Sequence, residues 1–157
     1  MSGLRVLIAE DEAVTRSLLR ATLANWGYDV ATTADGEEAC AKLRSGNIDL
    51  CLLDWEMPKM TGLEVCKWVR SSNLSPAPYV ILLTVKDDPK DIQAGYGAGA
   101  DDYVTKPFNA GELRQRMSVL AQRRQQVETE QKQASQSDSF ELYRSGFAAN
   151  KSTLPDK

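Results

Sequence analysis

The chain has 157 residues and a formal charge of -3, with 19 Lys and Arg set against 22 Asp and Glu and no histidine. That length buries one substantial core, and interspersed charges offer no broad positive surface for a nucleic-acid backbone or anionic lipid, so one folded domain without a nucleic-acid or membrane partner is the expectation. Lack of histidine removes His-based metal sites, serine-histidine triads and any internal phosphohistidine, which leaves carboxylates, lysine and hydroxyls for chemistry.

Residues 4–9, LRVLIA, form a short apolar run closed by the acids Glu10, Asp11 and Glu12. The run is too short and too acid-flanked for a signal peptide, and no stretch reaches the ~18 apolar residues of a membrane span, so the cytosol is the expected location. Val14, Leu18, Leu19, Leu23 and Trp26 then recur at three and four residues before Gly27, which predicts a helix and its stop. A weaker strand is expected near Tyr28 to Thr32, and Ala39 and Leu43 mark a shorter helix ending at Gly46. LCLL at 50–53 and YVILL at 79–83 are apolar throughout, as strands covered on both faces are. Leu63, Cys66 and Val69 make a helical stripe between them, a fourth helix spans roughly Pro89 to Ala98, and a short strand is expected near Asp102 to Thr105. Gly95 and Gly97 weaken that fourth helix, which reads as a moving part unless a close contact requires glycine there. Asn109 and Glu112 predict the capping box of a last helix with the stripe Leu113, Met117 and Leu120.

Strand and helix alternate five times by about residue 121, which predicts a doubly wound parallel sheet with helices on both faces. Residues 1–121 are taken as the domain, and 122–157, rich in Gln, Ser, Glu, Arg and Lys, as a helical extension and flexible tail, or a linker toward an output domain. Cys40, Cys51 and Cys66 lack the close spacing of zinc or redox sites and read as small buried hydrophobes.

Ligand sites in such sheets gather at the carboxyl ends of the strands. There the sequence places Glu10, Asp11 and Glu12, then Asp54, Thr84 and Lys106. Glu12 reads as a solvated loop residue or a helix cap. Carboxylates converging from adjacent strands repel one another unless a cation joins them, and Mg2+ suits an oxygen set completed by water and phosphate. An aspartate beside the metal attacks phosphorus, and the charge developing on the transferred oxygens is then met by Mg2+, the Lys106 ammonium and the Thr84 hydroxyl.

Four motifs in order, VLIAEDE, LLDWEMPKMTGLE, ILLTVK and GADDYVTKPF, make residues 4 to about 121 resemble the response-regulator receiver domains of two-component signalling. The resemblance implies a flavodoxin-like five-stranded sheet of order 2-1-3-4-5, the order of a chemotaxis member of this family. It implies that Asp54 is the phospho-acceptor, Asp11 a direct Mg2+ ligand, Glu10 a ligand through water, and Glu56 the donor of a backbone carbonyl to the metal. Thr84 and Tyr103 become the switch residues, Lys106 binds phosphate before a Pro107 whose peptide is commonly cis, and the phosphoryl donor is a histidine on a sensor kinase or phosphotransfer protein. The chain would be a signalling phospho-acceptor that catalyses only its own phosphorylation and slow dephosphorylation, and it would control a downstream protein or output domain.

Departures from the family pattern are Glu10 where Asp is commoner, and Val85 where a small residue follows the switch threonine, narrowing the route to the phosphate. Glu56 and Lys86 are expected to meet across the site mouth as an exposed ion pair worth under about 1 kcal/mol. A magnesium-dependent aspartyl-phosphate phosphohydrolase is the competing enzyme class, but it usually has a second Asp where this chain has Glu56, and it needs a cap. A phosphorylation-independent binding module would be free to lose the acids, Thr84 and Lys106. Leu113, Leu120, Val127 and Ala134 fall seven residues apart, a marginal seam for a phosphorylation-driven homodimer.

Overall fold

Each short apolar run becomes a strand because it can be covered on both faces, and the polar residue that ends it marks the sheet's edge. The computed structural model describes residues 4–118, 120 and 122. Its strands are β1 (Arg5–Ala9), β2 (Asp29–Thr33), β3 (Leu50–Asp54), β4 (Tyr79–Thr84) and β5 (Asp102–Thr105), all parallel and ordered β2-β1-β3-β4-β5. Between them run α1 (Ala13–Asn25), α2 (Gly36–Arg44), α3 (Gly62–Ser71) and α4 (Pro89–Gly97), and residues 110–118 are again helical. The chain forms two compact units, Met1–Gln115 and Arg116–Lys157, and the strand ends that carry the functional residues all belong to the first. The expected extension and tail lie outside the described residues apart from residue 122.

Register brings the functional ends together. Ala9 pairs with Thr33 and Leu53, Asp54 with Leu83, and Thr84 with Thr105. Glu10, Asp54, Thr84 and Lys106 therefore end or follow four strands along one edge. Val6 to Ala9, Leu50 to Leu53 and Val80 to Leu83 are all buried, so this edge stands on a rigid base.

Local chemistry sets the helix ends. Glu12 caps α1, as expected, by accepting from the Thr15 N–H at 2.7 Å. At the other end Tyr28 N–H donates to the Leu23 carbonyl and Gly27 N–H to that of Ala24, with Gly27 at a φ of 98°, which is the glycine-terminated double bond of a Schellman stop. Thr61 and Glu64 form a reciprocal capping box on α3, and Asp35 and Asp88 cap α2 and α4. The Asn109 side chain accepts from the Glu112 N–H at 3.0 Å. Cys40, Cys51 and Cys66 are buried free thiols, as expected, and burial pushes Cys66 up to about 12.

The expected α1 stripe divides in two. Leu19 and Leu23 are buried, but Val14 and Leu18 are 73% and 58% exposed. At about 100° per residue Leu18 lies far around the helix from Leu19, with Val14 close to it. The spacings hold within each pair, but the pairs sit on different faces. In α3 the buried stripe is Val65, Cys66 and Val69, with Leu63 only partly buried against the same core.

The two glycines of α4 differ. A methyl group on Gly95 would stand 3.0 Å from Leu82 Cδ1 and 3.0 Å from Tyr103 Cε2, whereas one on Gly97 would meet nothing within 4 Å. Gly95 is thus a packing residue under the Tyr103 ring, and Gly97 alone is a plain weakness of the helix. Gly97→Ala is expected to raise stability by roughly 0.5 kcal/mol. Gly95→Ala should lower it, and opposite shifts of the urea midpoint are the measurement.

Candidate phospho-acceptor site

Oxygen atoms of Glu10, Asp11 and Asp54 lie within 4.8 Å of one another. Glu10 and Asp54 are buried, and Asp11 is exposed at the rim. Glu10 follows β1, from where its Oε2 accepts from the Glu12 N–H at 3.1 Å. Lys106 follows β5 and is held by its own N–H, which donates to the Thr84 carbonyl at 2.7 Å. Its ammonium stands 3.1 Å from Glu10 Oε1 and 3.3 Å from Asp54 Oδ1. The Lys106-Pro107 peptide is cis, as the resemblance implied.

The electrostatics follow from this crowding. Burial, then the neighbouring Glu10 carboxylate, push the Asp54 carboxyl up to about 6, against the pull of Lys106. Burial opposes the Lys106 charge, but the Glu10 and Asp54 carboxylates outweigh it and raise that pKa. One lysine thus serves two buried acids, and a third acid waits at the rim. An all-oxygen set with surplus negative charge and one solvent-facing member fits Mg2+, which keeps waters and takes few protein ligands.

A second layer of contacts surrounds Asp54. Thr84 is buried, and its Oγ1 accepts from the Lys86 N–H at 3.1 Å. Tyr103 is buried with its hydroxyl donating to the Lys86 carbonyl at 2.6 Å, and burial, with Asp91 and Asp87 nearby, pushes that phenol up to about 12. Lys86 Nζ meets Glu56 Oε2 at 3.2 Å, the ion pair expected from the sequence. Val85 is 67% exposed, so its bulk is turned largely to solvent.

Two residues have no signature in the sequence pattern. Trp55, directly after Asp54, is buried edge-on to Tyr103 with ring centroids 6.2 Å apart, and the Lys86 ammonium lies 5.5 Å above its ring. It joins the end of β3 to Tyr103. Its place beside Asp54 was the available signal, but the tyrosine is far away in sequence and only sheet pairing unites them. Arg16 on α1 donates from Nη1 to the carbonyl oxygens of Glu10 at 2.9 Å and Asp11 at 3.3 Å, bracing the acidic loop. Nothing in the periodicity of α1 marks it.

Fold and site together define an α/β domain whose buried aspartate is flanked by acids, a lysine and a threonine at the carboxyl edge of a parallel sheet. The sequence model for the response regulator receiver domain matches residues 6–118. The chain belongs to that family. It is 40% identical over 119 residues to the alkaline phosphatase synthesis transcriptional regulatory protein PhoP of Bacillus subtilis, covering 76% of this chain and 49% of that protein. It is likewise 40% identical over 123 residues to the transcriptional regulatory protein TcrA of Mycobacterium tuberculosis, covering 78% and 48%. The chain therefore spans about half the length of the curated relatives it matches. Among solved structures, the Francisella response regulator 1452 receiver domain aligns with a TM-score of 0.72 at 32% identity, over 76% of this chain and 98% of that one. The yeast Ssk1 receiver domain, crystallised with the histidine phosphotransfer protein Ypd1 of Saccharomyces cerevisiae, gives 0.66 at 27%, over 72% and 85%.

The raised Asp54 pKa has a stability consequence for the metal-free chain. Between about pH 4 and 6 the folded state holds this proton more tightly than the unfolded chain, so stability falls as pH rises through that window. Asp54→Asn removes the buried charge. In EDTA at pH 7.5 it is expected to unfold at higher urea than the parent, with the difference shrinking toward pH 4.

Proposed function

We propose that the chain is a phospho-acceptor switch of two-component signalling that takes a phosphoryl group onto Asp54 with Mg2+. The observation that carries this reading is the convergence of Glu10, Asp11 and Asp54 within 4.8 Å, with Lys106 against two of them. Asp11 and Asp54 would hold the ion directly, Glu10 through water, and Glu56 through its backbone carbonyl. When bound, Mg2+ supplies positive charge to the acids and to one phosphoryl oxygen.

The protein's own groups do the rest. An Asp54 carboxylate oxygen bonds to phosphorus while the donor's P–N bond breaks, and the electron pair leaves with the imidazole nitrogen of the partner's histidine. The Lys106 ammonium is already beside Asp54 and moves from that carboxylate to a phosphoryl oxygen. The Thr84 hydroxyl takes another. Turning toward the phosphoryl group costs Thr84 its contact with the Lys86 N–H, and Lys86 also carries the carbonyl that holds Tyr103 inward. Phosphorylation thereby loosens Tyr103, Trp55 and the α4 surface above them, and the new surface binds the downstream target. The Glu56–Lys86 pair stands over the entrance and limits access of water.

A sensor kinase or histidine phosphotransfer protein is the donor in this reading, supported by the Ssk1 receiver, whose phosphotransfer partner is seen with it. The exposed Val14 and Leu18 on α1 give such a partner an apolar foothold beside the acids. We take residues 122–157 as the path to a target or output domain. The relatives are transcriptional regulatory proteins by name, so the expectation that nucleic acid is not a partner gains no support from them. Among the described residues no helix is long and apolar enough to cross a membrane. Buried free thiols suit the reducing cytosol, where we place the chain.

Acetyl phosphate with Mg2+ is expected to add one phosphoryl group, seen by intact mass, and EDTA or Asp54→Asn to abolish it. Undiminished labelling of Asp54→Asn sinks the assignment. Lys106→Ala should lose the phosphorylation-driven change in partner binding more than it loses Mg2+ affinity. In sedimentation velocity, beryllofluoride, standing in for the phosphoryl group, should with Mg2+ shift the chain from monomer to dimer. Part of the heptad seam behind that expectation, Val127 and Ala134, lies outside the described residues. A monomer at high micromolar concentration removes the dimer.

A further inference from the structure

The loop after the acceptor is pressed between the starts of two helices. At α3, the Gly62 N–H donates to the Trp55 carbonyl at 2.8 Å and closes the loop on itself. A methyl group on Gly62 would stand 2.4 Å from the Asp54 carbonyl oxygen and 3.0 Å from both the Asp54 carbonyl carbon and Trp55 Cα. At α2, a methyl group on Gly36 would stand 2.2 Å from the Met60 carbonyl oxygen and 2.4 Å from Met60 Cβ. The obstructing atoms are backbone or Cβ, so no change of rotamer clears them. Neither glycine has a positive φ, so what these positions require is space.

Further contacts tie the first turns of α2 to the same loop. The Gly36 N–H reaches the Pro58 carbonyl at 3.5 Å, Lys59 Nζ lies 3.6 Å from Asp35 Oδ2, and Cys40 Sγ lies 3.8 Å from Met60 Sδ. The loop is therefore held to α2 by side chains as well as by close backbone approach.

We propose that Gly36 and Gly62 are positioning residues for the metal, two spacer positions that let α2 and α3 seat the 54–61 loop where Asp54 and the loop carbonyls can bind Mg2+. The proposal rests on the Mg2+ reading of the site. A Cβ at Gly62 must drive the Asp54 backbone away by on the order of 1 Å to restore ordinary contact. Mg2+ demands near-ideal octahedral geometry at about 2.0–2.1 Å and does not absorb such a shift, whereas Ca2+ accepts looser and longer coordination. The two glycines therefore act on which cation the site prefers as well as on how tightly it binds.

Calorimetric titration of the full chain with Mg2+ and with Ca2+ tests this, beside thermal melts. Gly62→Ala is expected to weaken Mg2+ at least about tenfold, the size typical of losing outer support for a ligand. Gly36→Ala should weaken it several-fold, and both should weaken Ca2+ less. Val69→Ala, a core truncation in the same α3, should melt lower with its Mg2+ affinity unchanged. A folded Gly62→Ala that binds Mg2+ like the parent overturns the proposal, and if that variant does not fold, Gly36→Ala decides by the same criterion. If neither folds, the glycines serve packing alone and the proposal also falls. A parent chain that binds no Mg2+ removes the metal reading itself, a different outcome from unchanged affinity in the variants.

Discussion

Negative charge held out of water at one edge of the sheet is the constraint on which the rest of this structure depends. Glu10 and Asp54 are buried within reach of one another, and Asp11 joins them from the rim. Like charges in a low-dielectric setting repel strongly, and the strain is relieved by a cation among them or by a proton held on one of the acids. Lys106 meets part of that demand, from a strand two places away in the sheet from β3. The charge left over is what the proposed Mg2+ would meet.

The same constraint explains why the surroundings are so firmly built. The acids sit at the ends of β1 and β3, whose apolar residues are buried throughout, and Arg16 braces the carbonyls of the acidic loop from α1. Gly62 allows α3 to rest on the Asp54 backbone. Under the proposed function, a rigidly held Asp54 lets a small change in charge be felt elsewhere. The path outward is short: Asp54 to Trp55, Trp55 against Tyr103, and Tyr103 onto the carbonyl of Lys86, whose N–H in turn holds Thr84. Lys86 is the point where these contacts meet, since its backbone serves both Thr84 and Tyr103 while its ammonium covers Trp55 and pairs with Glu56. Gly95, tight under Tyr103, links this path to α4 by packing, so that helix is better described as coupled to the tyrosine than as merely weak.

What the amino-acid sequence determined by itself was the alternation of strands and helices, the sheet order through the family likeness, and the place of the acids, lysine and threonine at the carboxyl ends of the strands. These are legible because a buried parallel strand leaves a continuous apolar run and its carboxyl end leaves the functional residue as the next letter. The helix caps at Glu12 and Asn109 are legible for the same local reason. Tertiary structure alone decided which face of α1 is core, because Val14 and Leu18 share the spacing of Leu19 and Leu23 and differ only in angle about the axis. It alone decided that Gly95 packs and Gly97 does not, and that Trp55, Arg16, Gly36 and Gly62 lie close against the segments around Asp54. Those roles depend on distances between segments far apart in sequence, set by strand register and helix approach, and no local pattern of residues carries them.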